Sequence, residues 1–335
     1  LRRNYISEPV QTIYFGGGTP SVLTIDELRS VLLTIKSTFD VIDKAEITLE
    51  ANPEDISPDW LKHLTKEGVN RLSLGIQSLD PVILRFLNRN HTQKKAIDAL
   101  NLIHESDINN YSVDLIYGIP GLSTDRWQED LNKVLDFQPP HLSCYALTIE
   151  ESTVFGRWKS KNKFVELDES QVADQFMMTS DLLTSKGYAH YEVSNFALPG
   201  FESCHNRSYW RARPYLGVGP SAHSYNLSSR QFNVAGNIAY IRSFEHGPGE
   251  FEIETLTRDQ KINEYILTSL RTNKGVDMNK LKEEFSYSFS NNQQNFVKKL
   301  VMDGLASYHN GNILLSRLGY LYADKITLEL MADPS

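Results

Sequence analysis

Between Thr12 and Phe196 the sequence alternates strand-like and helix-like segments, and that alternation constrains the fold more than any other feature. Its period is roughly 25 to 40 residues, the spacing of βαβ units around a parallel sheet. Strands are expected at Thr12–Gly16 (TIYFG), Glu46–Ala51 (EITLEA), Arg71–Gln77 (RLSLGIQ), Ser112–Tyr117 (SVDLIY) and His141–Leu147 (HLSCYAL). A further strand is expected at His190–Phe196 (HYEVSNF). Thr24 with Glu27 three residues later forms a capping box for a first helix. Ser57-Pro58 opens the next helix, with serine at the N-cap and proline in the first turn. Further helices are expected from about Asp80, over Thr92–Glu105, over Thr124–Asp136 and over Glu169–Lys186. The third of these carries Trp127, Leu131, Val134 and Leu135 on one face, and Gly187 suits a left-handed cap after the fourth.

Gly247-Pro248-Gly249 reads as a linker to a different pattern. Helices are expected at about Arg258–Arg271, Met278–Phe285 and Asn292–Asp303. Leu305–Ser316 then carries the hairpin turn Asn310-Gly311. Three helices and a two-stranded wing predict a winged-helix-like α+β domain. The expected division is 1–150, 151–246 and 250–335.

Composition excludes several function classes. No run of about 18 apolar residues is present, so a transmembrane helix is not expected. The net charge is −8 and the pI about 5.6, which gives no general attraction to phosphates or anionic lipid. From Glu254 onward ten basic residues meet ten acidic ones, so no basic stripe marks a nucleic-acid surface and no such partner is expected. The two cysteines, Cys144 and Cys204, are too few for a disulfide scaffold or a metal-ligand motif. A reducing, cytoplasmic setting is the expectation.

In parallel β/α folds ligands sit at the C-terminal ends of the strands. The first strand ends in Gly16-Gly17-Gly18-Thr19-Pro20, a tight turn or a backbone surface for a ligand. Glu50 ends the second strand, either as a solvated acid or as a holder of an ammonium or hydroxyls. Gln77 ends the third, where its amide suits a ribose or an amino-acid head, or caps the next helix. Asp114 lies inside an apolar run, where a carboxylate without partners costs several kcal/mol. Arg89 stands at a helix end and is either a surface residue or a bidentate grip on a carboxylate.

GGGTP, EANPE (50–54), GIQS (75–78), Asn88-Arg89 and DLIYGIP (114–120) occur in that order. They are followed by YEVSNFA (191–197), CHNRSYW (204–210) and YLGVGPSAHS (215–224). This series resembles the oxygen-independent coproporphyrinogen III oxidase-like branch of radical S-adenosylmethionine (SAM) proteins, over nearly the whole chain. The later motifs, HNxxYW above all, are similar to the haem chaperones of that branch rather than to the true oxidase. The resemblance implies an α/β fold, a partial (β/α)6 radical SAM barrel with the winged-helix-like domain behind it. It also implies bound SAM and a [4Fe–4S] cluster on a CxxxCxxC loop, expected upstream of Leu1. Without that loop the chain is not expected to perform radical chemistry.

By the same resemblance Gly17, Gly18 and Thr19 contact the methionyl part of SAM. Glu50, Gln77 and Asp114 bind its amino and ribose groups, Arg89 holds its carboxylate, and Thr148 lines the site. The family usually has glycine before that arginine, and this chain has Asn88. His205, Asn206 and Tyr209 of HNxxY are candidates for haem, with His223 as a further histidine. Against this stands a purely structural role, with His205 and Asn206 tying a loop and Tyr209 and Trp210 packed in the core. The function implied is binding of haem and SAM and delivery of haem to haem-requiring respiratory enzymes. The alternative is oxidative decarboxylation of coproporphyrinogen. Enzyme versus chaperone, a peripheral membrane contact, and monomer versus dimer stay open.

Overall fold

A computed structural model describes residues 8–245, 247 and 249–332. Two compact units are present. One comprises residues 11–39 and 43–203. The other comprises the described residues of 8–10, 40–42 and 204–332.

The first unit follows the β/α alternation. β1 (Val10–Phe15) leads to α1 (Ile25–Thr38), whose capping box is formed by Thr24 and Glu27. β2 (Val41–Ala51) leads to α2 (Pro58–Glu67), capped by the Ser57 side chain and closed by Gly68 in the left-handed region, φ 94°. β3 (Arg71–Gln77), α3 (Pro81–Phe86), α4 (Gln93–His104), β4 (Tyr111–Tyr117), α5 (Thr124–Leu135) and β5 (His141–Ala146) follow. α6 (Val154–Ser160) and α7 (Glu169–Ser185) precede a hairpin of β6 (Ala189–Glu192) and β7 (Asn195–Ala197). The sheet order is β1-β2-β3-β4-β5-β7-β6, and the sheet curls into a half-barrel. β2 to β5 are parallel, whereas β7 runs antiparallel to β5 and to β6.

Two expectations change here. The single strand expected at 190–196 is that hairpin, turned at Val193-Ser194, with Asn195 Nδ2 donating to Glu192 Oε1 across the turn. β2 starts at Val41, five residues before the expected Glu46; its opening residues are mostly exposed and carry no apolar alternation, which hides them from a hydrophobic pattern.

The two faces of the sheet differ. Ala45, Ile47 and Leu49 on β2, Leu72, Leu74 and Ile76 on β3, Val113 and Leu115 on β4, and Leu142 and Cys144 on β5 are buried on the outer face. α7 packs against β4, β5 and α5 there. Trp127 is fully buried, 5.9 Å from the Tyr117 ring, and its Nε1 donates to Thr179 Oγ1 at 2.8 Å. Buried Gln175 accepts from Gly118 N and donates to Leu122 O, both at 2.8 Å. The fourth residue of the α5 face is buried Asp130 rather than half-buried Leu135.

The second unit holds α8 (Cys204–Trp210), β8 (His223–Tyr225), β9 (Ser229–Asn233), α9 (Asn237–Ser243) and β10 (Phe251–Thr255). β9 and β10 pair over five residues, so chain on both sides of the Gly247–Gly249 segment shares a sheet. Pro248 itself lies outside the described residues. α10 (Arg258–Leu270), β11 (Val276–Asp277), α11 (Met278–Phe285), α12 (Asn291–Met302), β12 (Ala306–His309) and β13 (Asn312–Leu315) then build the winged-helix pattern, with α13 (Arg317–Tyr320) and α14 (Ala323–Leu330) after it. The wing turns at Asn310 (φ 49°) and Gly311 (φ 85°), as a two-residue hairpin requires. Gly275 is forced: its φ is +67°, and a Cβ there would lie 2.1 Å from Ile313 O. Among the described residues no helix is long and apolar enough to cross a membrane.

Asp130 accepts from Ser78 Oγ at 2.6 Å and from Leu79 N at 2.8 Å, tying α5 to the end of β3. Asp130→Ala leaves that buried donor pair without an acceptor. The expected loss is about 3 kcal/mol of unfolding free energy, read by urea denaturation.

Candidate functional site

The inner face of the half-barrel is polar. Glu46, Thr48 and Glu50 alternate along β2. Arg71, Ser73, Gly75 and Gln77 do so along β3, Ser112 and Asp114 along β4, and His141, Ser143 and Tyr145 along β5. A β/α barrel that fills itself does so with branched apolar side chains. This lumen does not, and its polar groups are organised from the rim downward.

At the rim, Glu50 is no free solvated acid. Its Oε1 accepts from Tyr14 OH at 2.7 Å and its Oε2 from Gly17 N at 3.1 Å, so it fixes the glycine loop to β2. Gly16 is required, since a Cβ there would meet the Tyr14 ring at 2.5 Å and Glu50 Oε1 at 2.8 Å. Gly17 and Gly18 have φ of +73° and +68° with nothing within 4 Å of an added Cβ, so their backbone borders open space. Thr19 is exposed and makes no side-chain cap bond to the short helix after it.

Gln77 ends β3 with φ 66°, a conformation that costs a non-glycine residue about 1–2 kcal/mol. The ladder to β4 shifts register between Gly75 and Gln77, and Gln77 Nε2 sits 2.8 Å from where a Gly75 Cβ would be. Asn88 adopts φ 53°, which explains why glycine is common there and why asparagine substitutes for it. Arg89 follows, half-buried, its guanidinium pKa lowered by burial and partly restored by the Glu54 charge. Among the described residues no carboxylate is within ion-pair distance of Arg89, and Glu54 Oε2 lies 3.3 Å from His91 Nδ1 instead. Thr148 is exposed, two residues past the end of β5.

Asp114 is half-buried and satisfied, unlike the strained carboxylate that its apolar neighbours suggest. Oδ2 accepts from Ser73 Oγ at 2.7 Å and Oδ1 from Ser112 Oγ at 2.8 Å. The bonds continue: Ser112 Oγ lies 2.9 Å from His141 Nδ1, and His141 Nε2 lies 2.7 Å from Tyr191 OH. The direction of this chain follows by elimination. A carboxylate only accepts, so Ser112 gives its one proton to Asp114 and must accept from His141. His141 is fully buried and its pKa is pushed well below the ordinary 6.5, first by burial and then by the Arg71 charge, so the ring is neutral. It therefore carries its proton on Nδ1, and Tyr191 OH donates to Nε2.

Register joins most of these groups. Glu50 pairs with Ser73, Gly75 with Asp114, and Asp114 with Ser143 on adjacent strands. The rim thus combines an open glycine backbone, two acceptor carboxylates, an amide and an unpaired guanidinium. That donor and acceptor set fits a molecule with an ammonium, a carboxylate and vicinal hydroxyls. Tyr14, Ser73, Ser112, His141 and Tyr191 are absent from the sequence-derived site. The signal for four of them was the polar phase of RLSLGIQ, SVDLIY and HLSCYA together with the aromatic in TIYFG. Nothing local singles out Tyr191.

In the other unit, His205, Asn206 and Tyr209 lie on α8, whose residues are all at least partly exposed. The His205 and Tyr209 rings meet edge to face at 5.0 Å, and Tyr209 meets Tyr215 at 4.7 Å. Tyr209 is 42% exposed, which overturns its placement in a core. Trp210 Nε1 is buried without a hydrogen-bond partner among the described residues. Leu216–Val218 line a groove of about 140 Å³ with Tyr240, Phe244 and Phe251.

Neither cysteine suits an iron–sulfur cluster. Cys144 is buried in β5 with its thiol pushed up by burial, and Cys204 is exposed on α8. Among the described residues no three His, Cys, Asp or Glu side chains are grouped as metal ligands.

The half-barrel and its glycine-led rim define the radical SAM class. The Radical SAM superfamily model matches residues 2–134, and the HemN C-terminal domain model matches 256–322. A protein named Heme chaperone HemW from Lactococcus lactis is 33% identical over 328 residues, covering 97% of this chain and 86% of the relative. One from Bacillus subtilis is 31% identical, covering 95% and 84%. One from Escherichia coli is 37% identical over 214 residues, covering 64% and 56%. The chain belongs to the HemW family. In fold it is similar to coproporphyrinogen III oxidase (HemN) from Escherichia coli, with a TM-score of 0.82 over 96% of this chain and 78% of that one. At 24% identity that likeness is one of fold.

The assigned chain makes two measurements decisive. Nitrogen-15 spectra of the His141 ring should show the Nδ1–H tautomer, and an Nε2–H tautomer contradicts the chain. The folded pKa of His141 is depressed, so the unfolded state binds the extra proton as pH falls below 6.5. Its contribution to stability is therefore present above that pH and lost below it. Between pH 6.5 and 5 the protein should lose up to about 2 kcal/mol more than His141→Gln does.

Proposed function

We propose that this chain is a haem chaperone whose half-barrel carries SAM. The observation that carries the SAM half is Arg89, a half-buried guanidinium with no ion pair among the described residues, set in the same unit as an open glycine backbone. Gly17, Gly18 and Thr19 meet the methionyl part, Glu50, Gln77 and Asp114 meet the amino and ribose groups, Arg89 takes the carboxylate, and Thr148 lines the edge. When bound, SAM would supply a cleavable sulfonium and a [4Fe–4S] cluster would supply the electron for it, the pair implied by the radical SAM family. The described residues do not make a cluster site, so the roles given to them are binding and orientation. Glu50 holds the glycine loop at its hydrogen-bonding angle. The chain from Tyr191 to Asp114 keeps that carboxylate fixed as an acceptor.

The haem half rests on α8 and on the relatives named heme chaperones. Tyr209 is exposed with His205 edge-on to it, so an iron ligand and a partner for that ligand stand one helical turn apart. Asn206 adds a polar group beside them. Delivery to haem-requiring respiratory enzymes in the cytoplasm completes the reading. The oxidase reading is supported by fold alone.

Titration with haemin should give a shifted Soret band saturating near one equivalent. His205→Ala or Tyr209→Phe should weaken it at least tenfold, and absence of any shift with the intact protein contradicts the haem role. Calorimetry with SAM should show Arg89→Gln losing about 2 kcal/mol of binding free energy, the worth of a charge-assisted hydrogen bond. An unchanged affinity removes Arg89 from the site.

A further inference from the structure

We propose that the floor of the half-barrel is a binding site for a carboxylate, held by Arg71. Arg71 is the first residue of β3 and shares its face with Ser73, two residues on, which bonds Asp114 at the rim. It is 2% exposed. Among the described residues no carboxylate lies within ion-pair distance of it and its side chain makes no hydrogen bond, with Nε closed off from solvent. A guanidinium cannot shed its charge as a buried lysine or histidine does. Buried charges are paired, and this one has no partner among the described residues.

Its register partner on β2 repeats the pattern. Thr48 is completely buried, and its Oγ1 also lacks a partner among the described residues. Two neighbouring side chains on one face of the sheet therefore carry buried polar atoms without a partner among the described residues. The groups nearby are committed elsewhere. The Arg71 charge is felt at Tyr14, His141 and Tyr191, yet Tyr14 bonds Glu50, and His141 and Tyr191 bond each other. Of the lumen acids, Glu46 accepts from Ser203 Oγ at 3.4 Å, Glu50 holds Tyr14 and Gly17, and Asp114 holds Ser73 and Ser112.

The acceptor therefore comes from a ligand. The planar fork of arginine matches carboxylate or phosphate. Glu46, Glu50 and Asp114 already line this lumen, and buried Glu192, bonded by Asn195, adds its charge at Tyr145 and Tyr191, so a singly charged carboxylate is favoured over a multiply charged phosphate. This site is separate from Arg89, and it does not rest on the haem reading. The carboxylate is either a free small anion or one end of a larger ligand, and these are told apart by competition.

The test is thermal unfolding of the intact protein in sodium acetate against sodium chloride of equal ionic strength and pH. Acetate should raise Tm saturably in the wild type and not in Arg71→Met. Arg71→Lys, which keeps charge but loses the fork, should need several-fold more acetate for the same shift. In acetate-free buffer Arg71→Met should unfold at the wild-type temperature or higher, because it removes an uncompensated buried charge. An acetate shift equal in wild type and Arg71→Met, no shift at all, or an Arg71→Met protein that unfolds well below the wild type overturns the proposal. Abolition of the acetate shift by haemin identifies haem as the carrier of the carboxylate, whereas abolition by SAM, whose one carboxylate is given to Arg89, overturns a site separate from Arg89. Persistence with both identifies a free small carboxylate.

Discussion

The half-barrel depends on a sheet whose faces are opposite in character. One face of β2 to β5 is aliphatic and sealed by helices, which supplies most of the apolar burial that holds this unit together. The other face is lined by serines, acids, tyrosines, a histidine and an arginine, so it cannot close on itself as an apolar core. A sheet of this kind is stable only if each inner polar group finds a partner. Most do, in bonds that run between strands: Tyr14 to Glu50, Ser73 to Asp114, Ser112 to Ser143. The few that do not, among the described residues, are where the proposed ligands would be held.

That division lets one rim residue fasten the loop and, in the proposed function, bind as well. Glu50 stands at the end of β2, where it fastens the Gly17 amide and leaves the outer sides of Gly17 and Gly18 open. Asp114 is held by two serines and, behind them, by a fixed His141 and Tyr191. Both acids are rigid before any ligand arrives, which lowers the ordering cost of binding. The HNxxY helix in the second unit is arranged on another principle. Its aromatic side chains are partly exposed and touch one another, which suits contact with a flat apolar ligand.

Much of the fold was readable from the sequence. The capping box at Thr24 and Glu27, the Ser57-Pro58 start and the Asn310-Gly311 wing turn are local signals, and local signals survive folding. The hairpin within 190–196 was not, because its turn residues, Val193 and Ser194, carry no glycine, asparagine or proline. The early start of β2 was hidden by exposed charged residues. Asp114 looked stranded because its serine partners come from β3 and from two positions away, and pairing across strands leaves no trace in a linear run. Arg71 was read only as the start of a strand, since its lack of a partner is a property of three-dimensional neighbours. The αL backbone at Asn88 explains a glycine-to-asparagine departure that sequence alone only notes.

The central claim is that the polar lumen is a chamber for a ligand, entered over the glycine-led rim. Hydrogen–deuterium exchange of the intact protein with and without SAM tests it most directly. The account predicts slowed exchange at amides 17–19 and 75–77 and around Arg89 and Asp114, with the wing at 306–315 unchanged. Slowing confined to the wing or the α8 segment, with the rim amides unaltered, contradicts it.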